Sequence, residues 1–122
     1  MHEGPHGIGL KIAYNDIPLK EGMTVTNEPG FYLDGKFGIR IENVLLIKKS
    51  NAPNNFGGVG YLAFEHVTVA PINTKLIEKN LLTNEEIEWV NSYNQECREK
   101  VAPLLEVGGL GLKWLEKETI PI

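Results

Sequence analysis

Two glutamates, Glu28 in "VTNEPGFY" and Glu42 in "GIRIENV", stand among residues that constrain the backbone around them. In an extended strand, side chains at i and i+2 share a face. Arg40 and Glu42 therefore point one way, and Ile39 and Ile41 the other. Apolar residues lie on both sides of them, which would place the Arg–Glu pair in the interior or on a cleft floor. A solvated pair on the polar face of a two-sided strand fits the same pattern. Glu28 precedes Pro29, which restricts its backbone, and Gly30, which can supply a positive φ. On its own it also reads as a polar strand end beside a turn. Two such carboxylates on neighbouring strands can converge on a hard or borderline cation such as Mg²⁺ or Mn²⁺. A pair of metals about 3.5–4 Å apart needs a bridging carboxylate. Two carboxylates do not fill two coordination shells, so further ligands have to come from elsewhere.

His2 and His6 lie in "HEGPHG". A histidine in such a Gly/Pro-rich loop can bind metal or act as acid or base, or simply be exposed. His66, in a strand pattern, reads as a structural or rim histidine. The sequence holds no Cys-x-x-Cys pattern, no phosphate-binding Gly-Lys-Ser/Thr loop and no Gly-x-Ser-x-Gly elbow. Metal ligation by paired cysteines, nucleotide binding and serine nucleophile chemistry thus lack support. Cys97, the single cysteine, falls in a helical pattern with no basic or His partner close in sequence. It reads as a small buried hydrophobe, and the lack of an intrachain disulfide favours a reducing, cytoplasmic setting.

The elements that must position these residues fall into two unlike stretches. Residues 1 to about 72 are rich in Gly and Pro, with β-type runs. The first 23 residues read as irregular backbone with at most short strands. "MTVTNE" alternates as a strand, "EPGFY" breaks it with a Pro-Gly turn, and "DGKFG" (34–38) is a hairpin-type turn. "IRIENVLLIKK" (39–49) reads as one strand that becomes continuously apolar. "SNAPNNFGG" (50–58) is a loop, and "YLAFEHVTVAPI" (61–72) a further strand closed at Pro71. The period then changes. Thr83 with Glu86 forms a capping box, and Leu82 with Ile87 a hydrophobic staple. Ile87, Val90, Tyr93 or Asn94, Cys97 and Val101 mark one helical face. Pro103 interrupts that helix, "EVGGLG" (106–111) is a break, and "LKWLEKET" is a short final helix with Trp114 and Leu115 to bury. Strands followed by helices predict an α+β architecture. The expected organisation is a catalytic-type part over 1–72 and a helical extension over 73–122.

Composition narrows the function classes. The 122 residues allow one domain at most. Twelve basic and sixteen acidic residues give a net charge of −4, which argues against nucleic-acid binding. No apolar run approaches the roughly 20 residues of a membrane span, and no signal-peptide pattern opens the chain.

Taken together, "HEGPHGIG", "LKEGMTVTNEPGFY", "FGIRIENVLLI" and "YLAFEHVTVAPI" resemble the C-terminal half of a pita-bread metallopeptidase of the M24 group. The resemblance is closest to the cytosolic-type Xaa-Pro aminopeptidases, also called aminopeptidase P, and "EPGFY" with "GIRIENV" is specific to them. The stretch from "PINTKLI" to "LKWLEKETIPI" is similar to their C-terminal extension, so the likeness covers nearly the whole chain.

The resemblance implies a partial pita-bread fold and an activity: release of the N-terminal residue from peptides with proline in second position. It implies two Mn²⁺ or similar ions held by two aspartates, one histidine and two glutamates. Glu28 then corresponds to one metal-ligating glutamate, which is also a candidate general base, and Glu42 to the one that bridges both metals. His2 corresponds to the histidine that contacts substrate and stabilises the tetrahedral intermediate. Arg40 and Tyr32 correspond to residues that hold the ligands in place. His66 stands where such proteins commonly have proline, with no catalytic consequence. In the family the two aspartates and the ligand histidine precede the "HEGP" segment, so the expectation is a C-terminal fragment, inactive alone. Reconstitution from two chains is a second possibility. A third is a non-catalytic binding or dimerisation module, whose helical part, with Trp89, Tyr93 and Trp114, would form a homodimer interface.

Overall fold

The computed structural model describes residues 4–9 and 16–122. The chain separates into two compact units, Met1–Thr68 and Val69–Ile122. The architecture is α+β, with strands in the first unit and helices in the second. Among the described residues, no helix is long and apolar enough to cross a membrane.

The N-terminal unit contains five strands: β1 (Thr24–Asn27), β2 (Gly30–Leu33), β3 (Phe37–Arg40), β4 (Asn43–Ser50) and β5 (Tyr61–His66). β4 is the centre of a three-stranded antiparallel sheet in the order β1-β4-β5, and β2 pairs with β3 as a separate antiparallel ribbon. The run over 39–49 is therefore two strands rather than one, broken at Ile41 and Glu42. Pro29 supplies the reason. It faces Ile41, whose amide donates to the Pro29 carbonyl at 3.2 Å. Proline has no N–H to return the second bond of that rung, so the ladder thins there and the chain passes from sheet to ribbon.

Two further expectations are corrected. "EPGFY" holds no turn, because Gly30 opens β2. The strand expected over 61–72 stops at His66, and Val67 follows with one more bond, its amide donating to the Val44 carbonyl at 2.9 Å. The hairpin between β2 and β3 lies where expected. Gly35 takes a φ of 69° there, a conformation that side chains with a Cβ rarely adopt. Ile47, 1 % exposed, is the most buried apolar residue of β4.

The C-terminal unit carries α1 (Asn84–Val101) and α2 (Leu110–Glu118). The capping box forms: Glu86 N donates to Thr83 Oγ1 at 3.2 Å, and Thr83 N donates to Glu86 Oε2 at 2.8 Å. The buried face of α1 is Val90, Tyr93, Asn94 and Cys97, so Tyr93 and Asn94 share the interior rather than alternate there. Asn94, 2 % exposed, takes the place of a strand partner: its Oδ1 accepts from Ile72 N at 2.8 Å, and its Nδ2 donates to Ile72 O at 3.2 Å. Tyr93 Oη donates to the Ala70 carbonyl at 3.0 Å. These bonds tie residues 70–72 to α1, which is why the unit boundary falls at Thr68. One turn earlier, Asn91 holds the backbone of Ile122 in the same two-point way. In α2, Leu115 is buried but Trp114 is 55 % exposed, contrary to expectation. Neighbours on a helix are turned about 100° apart, and a nine-residue helix with one buried stripe covers only one of them.

Candidate metal-ligand site

The register of the strands places the two glutamates. Asn27 faces Asn43 in the sheet, and Gly30 faces Arg40 in the ribbon. Stepping one residue on from Asn27 and one back from Asn43 sets Glu28 opposite Glu42. The next step sets Pro29 opposite Ile41, and the next returns to Gly30 and Arg40. The ladder keeps a single register through its break, so the two carboxylates share a rung.

Rungs of an antiparallel ladder alternate between hydrogen-bonded and non-bonded pairs, and side chains are closest in the latter, with Cα atoms about 4.5 Å apart. The Ile41–Pro29 bond and the 2.8 Å bond from Ile47 N to Met23 O fix the phase. Glu28/Glu42 is thus a non-bonded rung, as are Thr26/Val44, Gly30/Arg40 and Tyr32/Gly38. Thr26, Glu28, Tyr32, Arg40 and Glu42 come out on one face as a consequence. On the ribbon's other face, Phe31, Leu33, Phe37 and Ile39 form an apolar surface, with Phe31 and Phe37 ring centroids 6.0 Å apart.

Like charges opposite each other destabilise a ladder. Here a cation relieves them: Arg40 Nη1 lies 3.1 Å from Glu28 Oε2 and 4.0 Å from Glu42 Oε2. The three side chains are half-buried, at 33 % exposed for Arg40, 19 % for Glu28 and 31 % for Glu42. The pair is therefore neither an interior cluster nor a freely solvated one. Thr26 Oγ1 donates to the other oxygen of Glu28 at 2.7 Å.

Arg40 is itself anchored. Its Nε donates to Tyr32 Oη at 2.6 Å, and its Cζ lies 5.6 Å from the Tyr32 ring centroid. The hydrogen bond and the ring together hold the guanidinium in place. That bond, and then the nearby carboxylates, push the Arg40 pKa above its ordinary value. Tyr32 rests on two glycines. A Cβ on Gly30 would come 2.6 Å from Tyr32 Oη, and one on Gly38 would come 2.7 Å from Tyr32 Cδ1. Gly30 serves by its missing Cβ and not by a positive φ.

Each predicted site residue can now be located. The structure brings together Glu28, Glu42, Arg40 and Tyr32. His2 lies outside the described residues. The His6 ring hydrogen-bonds through Nε2 to the Thr24 carbonyl at 2.8 Å, tying its loop to the edge strand β1. His66 faces Leu45 at the end of β5. Sequence reasoning missed Thr26, although its spacing of two from Glu28 in a strand was a usable signal.

The donors present fit part of a hard-cation site. Two carboxylates on one rung converge on one positive charge, and carboxylate oxygens suit hard cations such as Mg²⁺ or Mn²⁺. They do not close it: among the described residues, no group of three or more His, Cys, Asp or Glu side chains is placed to hold a metal.

The chain is similar to known proteins over its whole length. The model of metallopeptidase family M24 matches residues 1–49, and that of the C-terminal region of peptidase M24 matches residues 60–122. The chain is 59 % identical over all 122 residues to the "Probable Xaa-Pro aminopeptidase P" of Coprinopsis cinerea, of which it covers 20 %. It is 52 % identical over its full length to the "Aminopeptidase P1" of Lotus japonicus, of which it covers 18 %. It thus spans about a fifth of the length of these curated relatives. The crystal structure of X-prolyl aminopeptidase from Caenorhabditis elegans, described as a cytosolic enzyme with a di-nuclear active site, superimposes with a TM-score of 0.68 at 36 % identity. That match covers 85 % of this chain and 17 % of the other, so the fold is part of the pita-bread architecture.

Proposed function

Since the chain belongs to metallopeptidase family M24, we propose that it supplies the two glutamate ligands of a dinuclear-metal aminopeptidase that removes the residue before a proline. One observation carries this reading: Glu28 and Glu42 share a non-bonded rung and turn their carboxylates to a common positive charge. The relatives' names support the substrate, a peptide with proline in second position.

The residues divide the work as follows. Glu28 and Glu42 would hold the metals. When bound, the metals supply a polarised water as nucleophile, with Mn²⁺ the proposed ion. Glu28 accepts the water's proton on a carboxylate oxygen. Thr26 keeps that carboxylate from rotating, and Tyr32 holds Arg40 beside it. His2 donates to the oxygen of the scissile carbonyl as charge develops on it.

Two glutamates do not close a dinuclear site, so the 122-residue polypeptide tested alone is expected to show no turnover. The experiment is cleavage of an Xaa-Pro peptide with added Mn²⁺, with and without a polypeptide bearing the family's two aspartates and ligand histidine. Activity should need both pieces and should disappear in Glu28→Gln and Glu42→Gln. Full activity in either variant would refute the ligand assignment.

The C-terminal unit leaves Leu104, Val107, Leu110 and Trp114 exposed. That observation favours a second role for it, homodimerisation, which light scattering tests; a monomer at all concentrations excludes it. A cytoplasmic setting is proposed from the single, buried, unbridged Cys97.

A further inference from the structure

We infer that Arg40 is a built-in placeholder cation, occupying the Glu28/Glu42 rung while metal is absent and yielding Glu28 when metal arrives. The inference rests on the assignment of those glutamates as metal ligands, and it goes beyond a purely supporting role for Arg40.

Three observations lead to it. The first is that the rung carries two facing carboxylates at the closest spacing an antiparallel ladder offers, an arrangement that repels itself without a cation. Second, the guanidinium supplies that cation directly, at 3.1 Å from Glu28 Oε2 and 4.0 Å from Glu42 Oε2. Third, Arg40 has another partner in Tyr32, whose hydroxyl accepts from Nε at 2.6 Å. Nη1 faces the carboxylates and Nε faces the phenol. Arg40 can therefore release Glu28 and stay hydrogen-bonded.

A pure scaffold and a placeholder predict opposite results. A residue that only orients the ligands lowers metal affinity when removed. A competing cation raises it, because a unit positive charge close to a divalent ion is lost. In a largely aqueous setting that gain is about tenfold. Without metal, loss of the placeholder leaves the carboxylates in unrelieved repulsion, and the chain should melt ~5 °C lower.

The test uses the 122-residue chain and Mn²⁺ itself, with bound and free ion distinguished by electron paramagnetic resonance up to millimolar concentrations. Thermal unfolding in chelator runs in parallel. Arg40→Gln should bind Mn²⁺ about tenfold more tightly than the parent and melt lower in chelator. Arg40→Lys, which keeps the charge, should stay near the parent in both. The double variant R40Q/E42Q should regain most of the lost thermal stability, since the repulsion has been removed. That arm needs no metal and decides the matter if Arg40→Gln alone folds poorly. Unchanged or weaker Mn²⁺ binding in Arg40→Gln would overturn the inference, as would no recovery in R40Q/E42Q. Mn²⁺ binding that survives Glu28→Gln and Glu42→Gln would instead refute the ligand assignment beneath it.

Discussion

Tyr32 lies flat across Gly38, its cross-strand partner, so closely that a single methyl group on Gly38 would fall 2.7 Å from Cδ1 of the ring. The contact joins backbone geometry to site chemistry, because the same tyrosine holds Arg40. Gly38→Ala is expected to force the ring aside at a cost of about 1–3 kcal/mol. Urea unfolding measures it. Adding Tyr32→Ala to Gly38→Ala should remove most of that cost, and a penalty that persists would locate the strain in the backbone instead.

Thr26 donates to the oxygen of Glu28 that Arg40 does not hold. Thr26→Val keeps the shape and deletes the hydroxyl. It should reduce Mn²⁺ affinity of the reconstituted enzyme roughly 10–100-fold, read by titration of the metal, with little change in the apparent KM for peptide. Thr26→Ser should restore the affinity.

Asn94 closes two backbone bonds that no strand supplies. Asn94→Ala leaves the amide and carbonyl of Ile72 without it and should cost about 2–3 kcal/mol, seen in urea unfolding followed by far-UV circular dichroism. Asn94→Asp should be worse at neutral pH, where a carboxylate meets the Ile72 carbonyl. Its deficit should shrink in acid, because a protonated Asp can donate as the amide does. A deficit independent of pH would contradict the two-point clasp.

Burial pushes the Cys97 thiol above its ordinary pKa, and burial likewise raises Tyr93. The folded state then keeps its protons at a pH where the unfolded chain gives them up. Stability from this source is complete below the ordinary thiol pKa and falls as pH rises above it. Chemical denaturation across the alkaline range should show that decline, and Cys97→Ala should remove its lower part. In the folded chain Cys97, 1 % exposed, should resist a thiol reagent until unfolding.

The strands and the capping box were legible because each has a local cause: alternation, and a cap three residues from its partner. The two glutamates stayed open on pattern and were singled out by the family resemblance. What escaped was set by neighbours distant in sequence. The break at Ile41 and Glu42 depends on Pro29 across the ladder, while the run itself keeps high β propensity throughout. Gly30 suggested a turn, yet its use lies in the tyrosine resting on it. Trp114 looked like core on hydrophobicity alone, but Leu115 takes the buried stripe of α2. Asn94 looked like an exception on an apolar face, and only the strand-like backbone at Ile72 explains it.

The unbroken register between Asn27/Asn43 and Gly30/Arg40 also determines which changes this chain can absorb. The gap between the carboxylates is a backbone spacing, measured by the ladder and not by the fit of side chains. Drift among Val25, Leu45, Phe31 or Ile39 can alter the packing and leave that calliper closed to the same width. One residue gained or lost between Gly30 and Arg40 would do the opposite, slipping the register and turning Glu42 to the far face together with the exchange of faces at Phe37 and Ile39. The hairpin at Asp34 to Lys36, remote from any ligand, is therefore the place where length is held most strictly.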